Sequence, residues 1–273
     1  MPTKINRPIL HFAHGNSFPA GTYRVFFQHL SERYDVRSIE IHGHNPAYPV
    51  TDGWPFLVQE LIDTLVKSYQ QPVILVGHSL GGILAYMVAN LRPDLVRCVV
   101  SIDSPLVAGW KAMFLRVSKK LGIDRKFSPA RFSEKRRMLW KDAEDAYQHF
   151  ASKEMFAIWP PEVLRDYIIF GLQPHAEGVT LRFTREVESQ IYLTLPHHLG
   201  PLASHGLQQV PVGFVGGTES VECRQAGLEA TKKLVGKHFV KIQGGHLIPM
   251  EVPMQTAQAV HEMICSFNLK EVL

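Results

Sequence analysis

The stretch Val73-Ile74-Leu75-Val76-Gly77-His78-Ser79-Leu80-Gly81-Gly82 decides the reading of this chain. Its first four residues are apolar and mostly β-branched, the pattern of a strand buried on both faces. The segment that follows, Gly81 to Leu91, has helical character. Between strand and helix stands Gly-x-Ser-x-Gly. The glycines have a steric reason. The turn must be sharp if the Ser79 hydroxyl is to rise above the sheet edge, and Cβ atoms at positions 77 and 81 are expected to collide with neighbouring segments. The helix N-terminus behind Ser79 offers free N–H groups and a positive dipole end to a developing anion. Ser79 is therefore the candidate nucleophile.

Outward from this stretch, short apolar runs alternate with longer amphipathic ones. Strands are expected at Ile9–Ala13, Val36–Ile41, Val73–Val76, Cys98–Ile102, Val212–Val215 and Phe239–Ile242. Helices are expected at Trp54–Tyr69, Gly81–Leu91, Gln225–Leu234 and Pro253–Phe267, the last opened by a proline as helices commonly are. In the first of these, Phe56, Leu57, Leu61, Leu65 and Val66 should share a face. Such alternation predicts an α/β fold with a mostly parallel sheet flanked by helices. It breaks between Ile102 and Val210, a stretch too long for a loop. Helical spacing there at Trp110, Met113, Phe114, Val117 and Leu121, and over Ala143–Phe156, Pro161–Phe170 and Thr184–Leu193, predicts an inserted helical cap. The expected division is residues 1–104 and 208–273 as core, and 105–207 as cap.

With 273 residues the chain can bury a substantial core, and 45% hydrophobic against 20% charged residues is an ordinary soluble composition. No apolar run is long enough to span a membrane. Met1 to Pro8 lacks the pattern of a signal peptide, and Cys98, Cys223 and Cys265 are few and far apart without metal-ligand spacing. Free thiols and a cytoplasmic location are the expectation. The net charge of +4 is uneven. Residues 109–141 hold 11 Lys/Arg against 2 Asp/Glu, a local +9 that leaves −5 elsewhere. No nucleic-acid-binding motif accompanies it, so no nucleic-acid partner is expected.

Together these motifs resemble the α/β-hydrolase superfamily over about residues 9–102 and 210–267. The branch that looks nearest contains esterases, epoxide hydrolases and haloalkane dehalogenases with a His-Gly-Asn or His-Gly-x loop after an early strand, as in His14-Gly15-Asn16. The last two groups use an aspartate nucleophile, so Ser79 argues against both of those reactions. The resemblance implies an oxyanion hole from the backbone N–H groups of Asn16 and Leu80. It also implies His246 as general base, in Gly244-Gly245-His246 between the last strand and the last helix. His78 should point away from the hydroxyl, and His42 and His44 are assigned to structural hydrogen bonding. The acid is open among three residues. Asp103 ends the strand beside the nucleophile strand, a position that resembles the one used by some esterases of the superfamily. Glu219 holds the place of the usual family aspartate, and Glu222 follows it. Asp103 is the first choice and Glu219 and Glu222 are the alternatives.

The expected activity is hydrolysis of a small or medium carboxylic ester through an acyl-enzyme. A thioesterase, C–C bond hydrolase or perhydrolase is the alternative, and a low-turnover small-molecule receptor is the rival of another class. No cofactor and no metal are implied. The cap should set substrate choice. Its aromatics include Trp110, Phe114, Trp140, Phe156, Trp159, Tyr167 and Phe170, and substitutions of Trp159 or Tyr167 are expected to change the ranking of esters. Its cations, among them Lys119, Lys120, Arg125, Lys126, Lys135, Arg136 and Arg137, read as a solvated face, with an anionic substrate or weak membrane-surface contact as the alternatives.

Overall fold

The computed structural model describes residues 7–122, 128–205, 207 and 210–269. Arg125 and Lys126 of the basic stretch lie outside them. Six parallel strands form the main sheet: β1 (Ile9–Ala13), β2 (Asp35–Ser38), β3 (Val73–His78), β4 (Val96–Ile102), β8 (Val212–Gly217) and β9 (Phe239–Ile242). Their order is β2-β1-β3-β4-β8-β9, which puts the strand leading to Ser79 at the centre. Every strand expected from the sequence forms. The second is shorter than Val36–Ile41 because Glu40 turns away and gives its carbonyl to the Ala20 amide at 2.9 Å.

Burial on both faces explains the unbroken apolar character of β3. Ile74 and Val76 join the layer under α1 (Arg24–Ser31) and the C-terminal helix Pro253–Ser266, whereas Val73 and Leu75 join the layer under α2 (Pro55–Ser68) and α3 (Leu80–Leu91). Each such side chain contributes about 1.5–3 kcal/mol relative to exposure, so either face tolerates a polar residue poorly. The α2 face is turned slightly from the expected one. Leu57, Val58, Leu61, Ile62 and Leu65 are buried, while Phe56 and Val66 are exposed.

Between β4 and β8 lie α4 (Gly109–Lys120), α5 (Ala130–Ser133), α6 (Ala143–Ala151), α7 (Glu154–Ala157), α8 (Pro161–Gly171), α9 (Arg185–Leu193) and α10 (Gly200–His205). This insertion is not purely helical. β5 (Leu139–Trp140), β6 (Leu172–His175) and β7 (Gly178–Leu181) form an antiparallel sheet of order β5-β7-β6. β6 and β7 are joined by the two-residue turn Ala176-Glu177, and Gly178 at φ +140° lies so close to the Trp140 carbonyl that no Cβ fits. Such short strands, one containing Pro174, carry no alternation to read. Two expected helices are also divided. Ala143–Phe156 breaks after Ala151, and Gln225–Leu234 becomes parts of α11 (Val221–Ala226) and α12 (Glu229–Val235), separated by Gly227 at φ +79°. Among the described residues, β9 is followed by α13 (Ile248–Glu251) and α14 (Pro253–Ser266). Trp140, Phe150, Phe156, Trp159 and Tyr167 of the insertion share one apolar cluster with Phe18 and Tyr23 of the core.

Candidate active site

Ser79 sits between β3 and α3 at φ 52° and ψ −116°, a region that non-glycine residues rarely adopt. Its neighbours hold it there. Its N–H donates to the Ile102 carbonyl at 3.0 Å, and its own carbonyl accepts from Gly82 and Ile83 at 3.1 and 3.2 Å. A Cβ at residue 77 would stand on the Gly81 carbonyl, and one at residue 81 on the Ala13 carbonyl. The strain therefore rests on close approach of three backbone segments that only glycine permits.

His246 lies on the loop between β9 and α13, with Nε2 at 3.0 Å from Ser79 Oγ and Nδ1 at 2.7 Å from Asp103 Oδ1. A carboxylate oxygen can only accept, so Nδ1 carries the ring proton and Nε2 accepts from the Ser79 hydroxyl. Asp103 is fully buried at the end of β4 and has φ 43°. Its carboxylate also accepts from the Gly217 amide at 2.7 Å and the Ser220 hydroxyl at 2.6 Å. Burial works against the charge, but the bonds from His246, Ser220 and Gly217 outweigh it and hold the Asp103 carboxyl below its usual range. The opposite holds for His246. Burial lowers its affinity for a proton, yet the Asp103 hydrogen bond and the charges of Glu222, Asp103 and Glu251 raise it above the ordinary histidine value.

The other two acids named from the sequence stand elsewhere. Glu219 is exposed and pairs with the Gln243 amide. Glu222 is half-exposed, with Oε2 at 3.8 Å from His246 Nδ1, near enough to act through charge. Asp103, Glu222 and His246 place ligand atoms within 4.8 Å of one another. These atoms are already engaged with one another, because His246 Nδ1–H donates a hydrogen bond to Asp103 and both Asp103 oxygens have protein donors.

A buried chain of hydrogen bonds ties the Asn16 loop to the His246 loop. The Gly15 amide donates to Tyr23 Oη at 2.9 Å, and Tyr23 Oη lies 2.7 Å from His78 Nδ1. His78 Nε2 is 3.0 Å from the His246 carbonyl. The carbonyl must accept, so Nε2 carries the proton, Nδ1 is the acceptor and the Tyr23 hydroxyl donates to it. Burial presses the His78 pKa down to about 3, which keeps this neutral tautomer in place. His14 fixes the other side by accepting from the His42 amide at 2.7 Å. His44 bonds the His42 carbonyl and the Thr184 amide, both at 3.0 Å, as expected of a structural residue, whereas His42 is bonded through its backbone and neither of its buried ring nitrogens has a hydrogen-bond partner among the described residues. The Asn16 side chain donates to the Glu188 carbonyl at 3.2 Å. Among the described residues, the main-chain amides of Asn16 and Leu80 have no backbone acceptor.

A cavity of about 790 Å³ reaches His246 and is lined on its apolar side by Phe18, Phe150, Phe156 and Leu247. Trp159 and Tyr167 do not line it. They are 5% and 0% exposed and pack against Phe18 and Phe156, which corrects their expected role as direct determinants of ester choice. A second cleft, about 810 Å³ between α1, β9 and α14, contains none of these site residues.

Sequence reading missed Glu251 and Tyr23. Glu251 accepts from the Gly245 amide at 2.6 Å and the Leu247 amide at 3.2 Å, gripping the backbone on both sides of His246. Its placement in the short helix directly after the Gly-Gly-His loop was an available signal. Nothing local marks Tyr23.

The comparisons with known proteins agree with this architecture. A protein of Haemophilus influenzae with a provisional esterase/lipase name is 30% identical over 104 residues, 37% of this chain and 36% of that protein. The 2-(acetamidomethylene)succinate hydrolase of Mesorhizobium japonicum is 32% identical over 101 residues, 35% of each. The alignments thus span about a third of either relative. The crystal structure of an E-2-(acetamidomethylene)succinate hydrolase superposes with a TM-score of 0.76 at 22% identity, over 94% of this chain and 91% of that one, a likeness of fold. Residues 12–259, from the end of β1 into the C-terminal helix, match a single family description, and the chain accordingly belongs to the Alpha/beta hydrolase family.

Proposed function

We propose that this member of a hydrolase family is a serine hydrolase that cleaves a small or medium carboxylic ester. The observation that carries the reading is the continuous line from Ser79 Oγ through both nitrogens of His246 to the buried Asp103, at 3.0 and 2.7 Å. In the proposed reaction Ser79 Oγ attacks the ester carbonyl carbon while its proton passes to His246 Nε2. Asp103 keeps the ring in the required tautomer and stabilises the imidazolium. The oxyanion lies against the Asn16 and Leu80 amides, with the positive end of α3 behind Leu80. His246 then returns the proton to the departing alkoxide, leaving Ser79 acylated. A water enters, gives a proton to His246 and attacks the acyl carbon. Ser79 is released with that proton and the acid departs.

The raised proton affinity of His246 has a direct consequence. The base works only when neutral, so activity should be lost as pH falls through a value above the ordinary 6.5. The cavity supports a substrate of modest size, with Phe150 and Phe156 offering apolar contact to the acyl or alcohol group.

Labelling with a fluorophosphonate probe, alongside hydrolysis of p-nitrophenyl esters of increasing acyl length, tests the reading. Wild type should be labelled and should turn over the shorter esters, and Ser79→Ala should do neither. Equal labelling of Ser79→Ala, or a folded wild type inert to probe and esters alike, would overturn it.

A further inference from the structure

The helix α4 is turned inside out relative to an ordinary surface helix. Trp110, Met113, Phe114, Val117 and Leu121 are 74%, 57%, 49%, 43% and 66% exposed. At helical spacing they fall within an arc of about 100°, one continuous apolar stripe. The side turned to the body carries Ala112 and Ser118, which are buried, with Leu115 and Lys119 partly buried between them. A globular helix normally hides its large apolar stripe and shows the other side. Here the stripe is displayed.

The charges around it are of one sign. The helix contains Lys111, Arg116, Lys119 and Lys120 and no acidic residue. Two of the four anchor it: Lys111 donates to the Gln225 carbonyl at 2.6 Å, and Lys119 bonds Asp52 and the Leu195 carbonyl. Arg116 and Lys120 are exposed beside the stripe. A Cβ at Gly109 or Gly122, the residues at its two ends, would meet none of the described residues within 4 Å, and with its stripe exposed the helix is a ridge, not a groove.

We propose that α4 is a docking element that seats the protein on an anionic lipid surface, with the stripe in the headgroup region and the cations against the lipid charge. An apolar face flanked by cations gains from both properties at such a surface. A second copy of the chain is a poor occupant, because it would bring one basic segment, +9 over residues 109–141, against another. A protein partner would need a matching groove, whereas a lipid surface accepts a ridge. Attachment is peripheral, since twelve helical residues extend only about 18 Å. The anchor at Gln225 lies in α11, the helix that also carries Glu222.

The full chain is to be mixed with vesicles of phosphatidylcholine alone and of phosphatidylcholine with phosphatidylglycerol, then sedimented. Binding should require the anionic lipid and weaken as salt is raised to about 0.5 M. Tryptophan emission should shift to the blue on binding, and the shift reports on Trp110 because Trp54, Trp140 and Trp159 are buried. The triple variant Trp110→Ser, Met113→Ser, Leu121→Ser should lose about tenfold or more in vesicle partitioning. Arg116→Glu with Lys120→Glu should lose the preference for anionic lipid. Both should hydrolyse a water-soluble ester as wild type does, which shows that they are folded. Absence of wild-type binding to either vesicle, or equal binding by the triple variant, would overturn the proposal. So would α4-dependent binding to an acidic polypeptide such as polyglutamate, or α4-dependent dimers in light scattering, without vesicle binding.

Discussion

The loop edge around Ser79 and the insertion above it hold their buried charges in different ways. Asp103 is bonded by a backbone amide, a helix-capping hydroxyl and the His246 ring. Arg136, partly buried in the insertion at the cavity wall, is held by two side chains, Glu188 at 2.9 Å and the Tyr167 hydroxyl at 2.9 Å. One of the three Asp103 donors is a main-chain amide, which no side-chain substitution removes, whereas both partners of Arg136 are replaceable side chains. Asp103 therefore keeps a fixed donor, and the Arg136 site can be rebuilt if its members change together.

The comparison is broken most directly at Asp103. Asp103→Asn keeps the shape but spoils the tautomer of His246, and on the proposed chemistry should lower turnover by roughly a hundredfold to ten-thousandfold with the fold retained. Glu219→Gln should stay within a few-fold. Steady-state rates on one ester, with a thermal melt for each variant, separate the two. Equal losses would place both carboxylates in the same role.

In the insertion, Arg136→Met strands a buried Glu188 and should cost on the order of 3 kcal/mol in urea unfolding. Adding Glu188→Leu should recover most of that, because a well-packed apolar pair replaces the ionic one. The Asn16 contact survives, since it uses the Glu188 carbonyl and not its side chain. A double variant no more stable than the single one would show the insertion to be as inflexible as the loop edge.

Glu251 tests the loop edge more gently. Glu251→Gln weakens the grip on the Gly245 and Leu247 amides without touching the reacting atoms, so kcat should fall about tenfold with KM little changed. A rise in KM alone would assign Glu251 to substrate contact.

The smallest effect is expected at Glu222. Removing its charge destabilises the imidazolium of His246, so Glu222→Gln should move the acidic limb of the kcat/KM profile to lower pH. A limb that stays in place would mean that solvent screens Glu222 completely.

Much of the core is legible in the amino-acid sequence. The six strands and the turn at Ser79 are local matters. Continuous apolar runs mark strands covered on both sides, and glycine marks positions where two backbones touch. The small sheet of the insertion is not legible there, because strands as short as Leu139–Trp140 acquire their identity only from the partner they meet. The direction in which α4 faces is equally hidden. Trp110 to Leu121 has the period of a buried helix, and periodicity records that a stripe exists without recording which side the body lies on.

The amino-acid sequence by itself determined the fold class, the position of Ser79 in a strained turn and the place of His246 in the loop before the last helices. The first two follow from steric restrictions and hydrophobic period that act over a few residues, whereas His246 was singled out among fourteen histidines by the resemblance to the family. Only the tertiary structure decided which carboxylate meets His246 Nδ1. Asp103, Glu219 and Glu222 all lie in loops within reach, and chain order cannot rank them. The choice comes from the turn at Asp103, with φ 43°, which aims its carboxylate beneath the Gly217 amide and the Ser220 hydroxyl. Those donors belong to the loop after β8, more than a hundred residues along the chain, and no local pattern couples the two.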